Sequence, residues 1–497
     1  MSSLKLLAPT LALSAFAFAL FGLDTFKNRL SASARTSGFW VTLIGLAVTA
    51  ALVPWAGLDI PVSYGRGMLI ADGLSFFLTW IALMTTFLVV LMSEFDRTFE
   101  GLSLSVYYGL LLLAATGLIL VVSANDFLMI FLGIELVGVP GFILTAYLRH
   151  VEKSSEAGIK FFLIGAFSSA MLAYGISLLY GITGSTSLTS LQNGAALLQD
   201  KAPLALVAIF FILVSFGFKI ALVPFHMWVP DAFEGAPTPI AAFLSVAPKV
   251  AGVAIALRVF TIDMAGSSLG SIHVLAILAA LTMTVANLIG LRQTNVVRLL
   301  AYSSIAHMGY LLLGLVAGGA AGIASVYLYA GVYLFMNLGA FSVVVCLSNA
   351  LQSNDLSAYA GLGKRAPFLS AVFVLFLLSL AGLPPTAGFI AKFYVFTAAY
   401  NAGWLWLVLI ATVNSVISVG YYFKILRAMY FAAPVSETPV PVNVATRLIL
   451  AGTAFATLFL GIIPQYGFAV TDKLVNKPAA VDAVVTSSAT VQSPVVP

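Results

Sequence analysis

The chain has 497 residues, of which 61% are hydrophobic and only 8% are charged, and its formal charge at pH 7 is +5. Because soluble domains carry about 25% charged residues, this composition predicts a protein that crosses a membrane many times and excludes an ordinary soluble enzyme. The small basic excess fits loops that face the cytoplasm. It gives no indication of nucleic-acid binding.

The first apolar run, residues 7–25, allows two interpretations. Lys5 precedes the run and the small residues 31–34 follow it, which resembles a secretory signal peptide. However, Asp24, Lys27 and Arg29 stand between the run and the small residues. This charged spacer favours an uncleaved first membrane span.

Apolar segments of about 20 residues, the length that crosses a bilayer, recur along the whole chain. We predict fourteen spans, at residues 7–25, 37–55, 71–93, 104–123, 125–148, 158–181, 202–227, 238–261, 271–291, 299–318, 323–347, 368–398, 404–426 and 447–468. The segment 473–497 is rich in Pro, Ser, Thr and Val, and we expect it to be disordered.

Basic residues in the loops predict an orientation. The odd-numbered loops hold thirteen of them: Lys27, Arg29, Arg35, Arg97, Arg149, Lys153, Arg292, Arg298, Lys364, Arg365, Lys424, Arg427 and Arg447. The even-numbered loops and the termini hold five: Lys5, Arg66, Lys201, Lys473 and Lys477. The positive-inside rule therefore places the odd loops in the cytoplasm and both termini on the outer, periplasmic side.

Two spans carry helix-breaking residues. Pro224 follows Lys219 in span 7, and Pro384 and Pro385 precede Lys392 in span 12. Prolines often only kink membrane helices, but breaks at corresponding positions of two halves are typical of inverted-repeat transporters. We therefore predict an all-α fold with two inverted five-helix repeats and broken helices 7 and 12. The domains would be 1–123 (spans 1–3 and the start of the first repeat), 104–261 (first repeat), 271–426 (second repeat), 447–468 (last span) and the tail 473–497.

Four charged residues lie near the middle of apolar spans: Glu135, Lys219, Lys249 and Lys392. A charge at the bilayer centre costs about 2.5–3.5 kcal/mol even on lenient scales. Four such charges would cost on the order of 10 kcal/mol, which is comparable to the net stability of a whole domain. Structure alone does not favour these residues, so they indicate an ion pathway, in the simplest case for protons.

Glu135 and Lys219 have opposite charges and could pair if spans 5 and 7 adjoin. Pairing favours both charged forms, whereas desolvation favours both neutral forms. The proton affinity of Lys219 would then depend on the position of Glu135, so the pair could act as a switch. The alternative is a static buried ion pair.

Three further residues are candidates for proton relay. His226 lies between Lys219 and Lys249 in the chain, and His307 lies between Lys249 and Lys392. Imidazole exchanges protons near neutral pH, which suits a relay, although each histidine could instead be a satisfied polar residue. Lys160 begins span 6, where the alternative is that its side chain reaches the membrane interface.

Several other polar residues have expected roles. Tyr302, Ser303 and Ser304, beside His307, could hold water, and Asp72 is placed to cap span 3. Arg258, near the outer end of span 8, is expected to anchor the helix or face a partner.

The chain offers little for redox or nucleotide chemistry. A lone cysteine, Cys346, can form no intramolecular disulfide and cannot hold an iron–sulfur cluster. The sequence contains no G-x-x-x-x-G-K-[ST] motif and no G-x-G-x-x-G after a strand, so no ATP, nicotinamide or flavin site is expected. His226, His273 and His307 form no recognisable metal motif, although spacing alone leaves haem ligation open. Any redox centre is expected on another chain.

Longer motifs resemble a known family. The segment FKIALVPFHMWVPDAFEGAPTPIAAFLSVAPKVA is similar to the core of the antiporter-like membrane subunits of respiratory complex I, which are related to multi-subunit sodium/proton antiporters. RLLAYSSIAHMGY and LAGLPPTAGFIAKFYVF match the second half of that pattern, and SSEAGIKFFLIGAFSSAMLAYGISLLYGITGSTSL resembles the subunit N branch. The resemblance covers residues 1–470.

The resemblance implies a proton-translocating subunit in the membrane arm of a plasma-membrane NADH:quinone oxidoreductase. NADH, FMN, iron–sulfur clusters and quinone would reside in partner subunits, and other antiporter-like subunits would adjoin this chain. The proton-carrying residues would be Glu135, Lys219, Lys249 and Lys392, with His226 and His307 along the connecting axis. The stretch after Glu135, which contains Pro140 and Gly141, departs from the serine- and leucine-rich pattern expected there and puts the Glu135–Lys219 pairing in question.

Three alternatives remain open at this point. The first is a subunit of a secondary cation/proton antiporter, which would work without a redox partner. The second is the membrane arm of a related hydrogenase or ferredoxin-linked complex. The third is a passive assembly scaffold whose lysines only dock partner chains.

Overall fold

The structure is a computed structural model that describes residues 2–26, 32–56, 62–65, 67–189, 201–260, 271–434 and 440–475. Four of the charges used to predict orientation lie outside the described residues: Lys27, Arg29, Arg66 and Lys477. The predicted tail beyond residue 475 lies outside them as well.

The described residues are largely helical. In chain order the helices are α1 (Ser2–Phe26), α2 (Ala32–Ala56), α3 (Gly73–Glu94), α4 (Leu104–Ser123), α5 (Phe127–Thr145), α6 (Glu152–Thr183), α7 (Ala202–Ile220), α8 (Trp228–Gly235), α9 (Thr238–Ile255), α10 (Ser271–Gly290), α11 (Val296–Ala317), α12 (Gly319–Leu351), α13 (Leu362–Arg365), α14 (Pro367–Ala381), α15 (Ala387–Asn401), α16 (Leu405–Phe431), α17 (Val444–Ile462) and α18 (Gln465–Val475). A π-helical turn, Ala256–Phe260, continues α9, and 3-10 turns lie at Arg97–Phe99 and Leu356–Tyr359.

Within the described ranges, 13 helices are long and apolar enough to cross a membrane. The remaining predicted span, number 12, is divided between the shorter helices α14 and α15. The all-α polytopic fold is therefore confirmed. The bounds of α4 agree with the prediction, whereas α6 and α12 are longer than predicted.

Both predicted interruptions are present. Helix α7 ends at Ile220, and Ala221 then adopts a left-handed conformation with φ 63°. Helix α14 ends at Ala381 and is followed by Gly382 with φ 84°. In both cases the next residue closes the helix end, because its N–H donates to a carbonyl five residues earlier. Leu222 donates to the Gly217 carbonyl, and Leu383 donates to the Leu378 carbonyl. The inverted repeats themselves remain a prediction.

The centre of the molecule is formed by α9 and α11, which are buried throughout their apolar windows. Such helices are hydrophobic on all sides because no side faces water. Their few polar side chains are consequently enclosed by protein. Lys249 lies on α9 and His307 on α11, so two of the predicted proton carriers are in the core.

Three local features differ from or refine the sequence interpretation. A short antiparallel hairpin pairs Val62–Tyr64 with Leu69–Ala71 and was not predicted. Asp72 caps α3 as predicted, since its carboxylate accepts the Ser75 N–H at 2.8 Å. Helix α18 extends to Val475, three residues into the predicted tail.

Candidate functional site

Each broken helix brings a lysine to the carboxyl end of its first half. Lys219 lies in the last turn of α7 and is 5% exposed. Lys392 lies on α15, but its ammonium reaches back to the carbonyl oxygen of Ala381, the last residue of α14, at 2.8 Å. The final carbonyls of a helix lack partners, and the helix dipole is negative there, so both positions favour a cation.

Lys219 sits directly against α5. A Cβ atom at Gly138 would lie 3.4 Å from the Lys219 Nζ, so the ammonium lies beside the α5 backbone at this position. Beside them is a cavity of about 10 Å³ lined in part by Trp228 and Pro248. That volume is near the lower limit for a single water molecule. Lys219 lines this cavity on one side, and Pro248, the residue before Lys249 on α9, lines it as well.

Glu135 lies on α5, three residues before Gly138, and is half-buried. Its carboxylate accepts a hydrogen bond from the Ser169 hydroxyl of α6. Among the described residues, no ion pair joins Glu135 to Lys219. The expected pairing is therefore not formed in this conformation, although α5 continues without a break through Pro140 to Thr145.

Within the described residues, the hydrogen bonds of the Lys249 ammonium go to uncharged oxygen atoms. Its ammonium donates to the Ser304 carbonyl at 3.1 Å and to the Ser304 hydroxyl. The Ser304 hydroxyl lies 2.7 Å from the Tyr333 hydroxyl, and the Lys249 ammonium lies 5.7 Å from the centre of the Tyr333 ring. Lys249, Ser304 and Tyr333 thus form a continuous buried hydrogen-bonded chain.

His307 continues this series toward Lys392. The centres of the His307 and Tyr333 rings are 5.2 Å apart, and the His307 Nδ1 lies 2.6 Å from the Tyr329 hydroxyl. On its other side His307 contacts the Tyr310 ring, with centres 5.9 Å apart. The Lys392 ammonium lies 4.6 Å above that same ring. We call the series Lys249, Ser304, Tyr333, His307, Tyr310 and Lys392 the buried axis.

The tyrosines of the buried axis were not predicted as site residues. Tyr329 and Tyr333 are four residues apart on α12 and therefore share one helix face. This spacing was the available signal, but a tyrosine within an apolar run is also typical of an ordinary core. Asn287 was missed too, and its amide donates to the Tyr310 hydroxyl at 3.1 Å.

His226, unlike His307, has no hydrogen-bond partner for its ring Nδ1 among the described residues. It lies between α7 and α8 and is 8% exposed. No hydrogen bond between its ring and Lys219 or Lys249 is present among those residues. Its role as a relay stays a prediction.

Lys160 lies on the surface rather than on the buried axis, and its side chain is 46% exposed. It pairs with Glu156 at 2.7 Å and with Asp231 at 2.9 Å. Arg298 binds the same Asp231 at 2.8 Å and also Glu234 at 2.9 Å. With Lys153, these residues form what we call the surface charge cluster: Lys153, Glu156, Lys160, Asp231, Glu234 and Arg298.

Asp231 is the centre of the surface charge cluster. Partial burial raises the pKa of its carboxyl, but hydrogen bonds from Lys160 and Arg298 outweigh burial and hold the pKa below its ordinary value. The sequence interpretation did not single out Asp231, although an acid beside Pro230 near a predicted helix break was an available signal.

Arg258 was expected to anchor the helix or to face a partner. In the structure its guanidinium forms two hydrogen bonds to the Asp72 carboxylate, at 3.0 and 3.1 Å, which is the anchoring role. It also donates to the Val122 carbonyl at 2.8 Å. The charge is thus used within the chain, where it ties the π-helical turn after α9 to the amino-terminal cap of α3 and to the last turn of α4.

The interrupted helices and the enclosed lysines define a class of protein. A many-helix membrane protein with two interrupted helices and enclosed lysines belongs to the antiporter-like class of ion-translocating membrane proteins. Across the described residues, no three His, Cys, Asp or Glu side chains come together as metal ligands would.

Comparisons with known proteins specify the family. The family model for NADH:quinone oxidoreductase/Mrp antiporter transmembrane proteins matches residues 124–418. NADH-quinone oxidoreductase subunit N of Trichlorobacter lovleyi is 39% identical over 468 residues, which cover 93% of this chain and 95% of that protein. Subunit N 2 of Solibacter usitatus is 41% identical over 401 residues, covering 80% and 81%. A chain of respiratory complex I from Thermus thermophilus superposes with a TM-score of 0.78 at 31% identity, covering 93% and 98%. The chain therefore belongs to the NADH-quinone oxidoreductase subunit N family.

Proposed function

We propose that this chain is a proton-translocating subunit in the membrane arm of a NADH:quinone oxidoreductase. Electron transfer from NADH to quinone would take place in partner subunits, which would hold the FMN and iron–sulfur clusters. Other antiporter-like subunits would adjoin this chain in the plasma membrane, with both of its termini on the outer side. The names of the relatives support this assignment over a stand-alone antiporter or a passive scaffold.

The buried axis is the observation that carries the proposal. Lys249 and Lys392 are enclosed, and within the described residues their hydrogen-bond partners are carbonyls and hydroxyls rather than carboxylates. Such an ammonium can release its proton without leaving a buried carboxylate unpaired, which would be strongly unfavourable. Hydroxyls and an imidazole between the two lysines can both donate and accept, as a proton relay requires.

Glu135 and Lys219 would control the first transfer. In one arrangement Glu135 binds Ser169, as seen here, and Lys219 is left in a desolvated site. In the other arrangement the carboxylate turns toward Lys219. The two are close because Gly138, one helical turn after Glu135, lies beside the Lys219 ammonium, which a Cβ atom built there would meet at 3.4 Å. A charge change in the adjoining subunit would select between the two, since a nearby carboxylate favours the charged lysine and desolvation disfavours it.

The proton would then pass along the molecule in order. From Lys219 it would cross the small cavity beside Pro248 to Lys249, with His226 as a branch at the helix break. From Lys249 it would follow Ser304 and Tyr333 to His307, and from there reach Lys392. Lys392 would face the outer exit or the adjoining subunit, and Lys160 would supply protons at the surface.

The test is NADH-driven proton pumping by the assembled complex in sodium-free vesicles. Lys219→Ala should abolish coupled pumping while the complex remains assembled on a native gel. Lys364→Ala, which removes an exposed lysine at a helix end, is the matched control and should pump like the wild type. Full pumping by Lys219→Ala would overturn the pathway. A pH gradient produced by a sodium gradient without NADH would instead support the antiporter alternative.

A further inference from the structure

Asn287 on α10 is fully buried and connects the buried axis to a second set of hydroxyl groups. Its amide nitrogen donates to the Tyr310 hydroxyl at 3.1 Å and to the Asn414 carbonyl at 3.2 Å. Its amide oxygen accepts a hydrogen bond from the Tyr421 hydroxyl at 2.9 Å. Asn287 therefore has the buried axis on its nitrogen side and Tyr421 on its oxygen side.

The orientation of the Asn287 amide is fixed by these partners. A flipped amide would place its oxygen against the Asn414 carbonyl, and both of these atoms can only accept hydrogen bonds. In the observed orientation the Tyr310 hydroxyl accepts from Asn287, so its own proton is free to be donated on the other side. On that side lies Ser415, whose hydroxyl accepts from the Lys392 ammonium at 2.9 Å. The amide thus directs the Tyr310 hydroxyl toward the Lys392 end of the buried axis.

The hydroxyl groups on the oxygen side of Asn287 belong to Tyr421, Tyr422 and Ser303, which we call the second string. The rings of Tyr421 and Tyr422 have their centres 4.5 Å apart, and their side chains are hydrogen-bonded. The Tyr422 hydroxyl is also hydrogen-bonded to the Ser303 hydroxyl. Ser303 precedes Ser304 of the buried axis, but consecutive side chains of a helix point about 100° apart. The second string therefore runs beside the buried axis, and Asn287 joins the two.

The second string lies near one end of the bundle. Asn287 is three residues before Gly290, where α10 ends. A Cβ atom built at Gly290 would meet the Tyr421 ring at 3.3 Å and Tyr302 at 3.5 Å. Tyr302 is in turn hydrogen-bonded to Arg298 of the surface charge cluster, whose side chain is 29% exposed. From Asn287, the second string therefore leads toward the surface charge cluster.

The chemistry of an amide separates the two sets of hydroxyl groups. A hydroxyl oxygen can receive one proton and release another, whereas an amide accepts only on its oxygen and donates only from its nitrogen. A proton that reached the Asn287 oxygen could leave from the nitrogen only if the amide became an imidic acid, which is a much less stable form. The hydrogen bonds of Asn287 therefore hold the two sets together without giving a proton a route between them.

We propose that Asn287 is a proton-insulating residue that separates the buried axis from the second string. It would prevent protons on Lys392 from reaching the end of the bundle that carries the surface charge cluster. A continuous relay between the two sides of the membrane would dissipate the gradient that pumping builds, so such a break is required. This inference rests on the proposed function, because an insulator matters only if Lys392 carries protons.

The test measures passive proton entry into sodium-free vesicles that contain equal amounts of assembled complex and no NADH. A potassium diffusion potential set with valinomycin draws protons inward, and a trapped pH dye reports their entry. Asn287→Asp has almost the same size, but its carboxyl group can both accept and donate on oxygen, so it should raise the rate several-fold. Asn287→Leu is of similar size and cannot relay a proton, so it should match the wild type. A purely structural role predicts the opposite order, because leucine loses all the hydrogen bonds of the amide.

Second substitutions locate the leak. Asn287→Asp/Tyr421→Phe should return to the wild-type rate, because it removes the first hydroxyl of the second string. Asn287→Asp/Tyr359→Phe is the matched control and should stay leaky, since Tyr359 is fully buried and its hydroxyl has no hydrogen-bond partner in the described part of the chain. If Asn287→Asp fails to assemble, Asn287→Ser takes its place, because its uncharged hydroxyl can also relay protons and should produce the same leak.

Three results would overturn the proposal: a wild-type rate in the relay-capable variant, an equal leak in Asn287→Leu, or a leak that survives Tyr421→Phe. Pumping by Lys219→Ala in the same vesicles, with NADH added, distinguishes this failure from failure of the proposed function. If Lys219→Ala loses pumping while Asn287→Asp vesicles stay sealed, the pathway stands and the insulating role of Asn287 is wrong.

Discussion

Replacing Ser304 by alanine tests the buried axis at its best-defined link. The substitution removes the hydroxyl that accepts a hydrogen bond from the Lys249 ammonium and contacts the Tyr333 hydroxyl at 2.7 Å. The Ser304 carbonyl, at 3.1 Å from the ammonium, remains. The variant therefore leaves Lys249 in place but interrupts the hydrogen-bonded chain to Tyr333.

The magnitude follows from the type of hydrogen bond that is lost. A hydrogen bond to a charged group contributes about 1.5–3 kcal/mol, and Ser304 is fully buried, so water does not readily replace it. A loss of about 2 kcal/mol from the state in which Lys249 holds the proton corresponds to about a 30-fold decrease in transfer rate. We expect NADH-driven pumping by Ser304→Ala to fall by about this factor.

The assay compares the initial rate of pH-gradient formation in vesicles that contain equal amounts of assembled complex. Ser325→Ala is the matched control, because Ser325 is equally buried on α12 but donates only to the Gly322 carbonyl, at 2.7 Å. Both variants lose one buried hydroxyl, so a general effect on packing would appear in both. Pumping by Ser304→Ala within twofold of the Ser325→Ala rate would refute the reasoning.

Two further substitutions test other parts of the structure. Asp231→Asn should destabilise the complex by up to about 1 kcal/mol at neutral pH, because Asp231 is partly exposed and its ion pairs are screened. Since the pKa of Asp231 is lowered in the folded state, this stabilisation is present above about pH 4 and is lost as the pH falls through the folded-state pKa. Melting curves at several pH values should therefore show the variant and the wild type converging in acid. A constant difference in melting temperature would contradict this. Gly388→Ala would place a Cβ atom 1.8 Å from the Ser379 carbonyl oxygen, so the two halves of span 12 must separate and pumping should be lost. Gly452→Ala, which meets nothing within 4 Å, should pump normally, and normal pumping by Gly388→Ala would contradict the close packing.

The spans and the central charges could be predicted from the sequence because each is visible within a single apolar segment. A membrane helix requires about 20 apolar residues in succession, and a lysine within such a run stands out. The breaks were predictable as well, since Pro224 and the Pro384–Pro385 pair cannot continue a regular helix. These signals are local, and the structure confirms the helices and the breaks where they were expected.

Contacts between distant residues could not be predicted in the same way. Arg258 and Asp72 are 186 positions apart, so nothing local indicates that they pair. Likewise, the hydroxyl of Tyr333 acquires a role only because α11 places Ser304 beside it. Glu135 was assigned to Lys219 from charge alone, whereas the nearby Ser169 hydroxyl offers its carboxylate an alternative partner.

The distribution of partners distinguishes the charges that stay fixed from those that can exchange a proton. Away from the buried axis, Arg258 and Arg298 bind carboxylates directly. A carboxylate 4 Å from a cation contributes about 4 kcal/mol at an effective dielectric constant of 20. Beside a lysine, it would raise the proton affinity of the amine by about three orders of magnitude. Lys249 and Lys392 are instead bound by neutral oxygens, which stabilise the ammonium by a smaller amount and can also accept the neutral amine as a partner. A permanent carboxylate beside either lysine should therefore stop transfer rather than assist it, and a movable one, such as Glu135 near Lys219, is the arrangement that a switch requires.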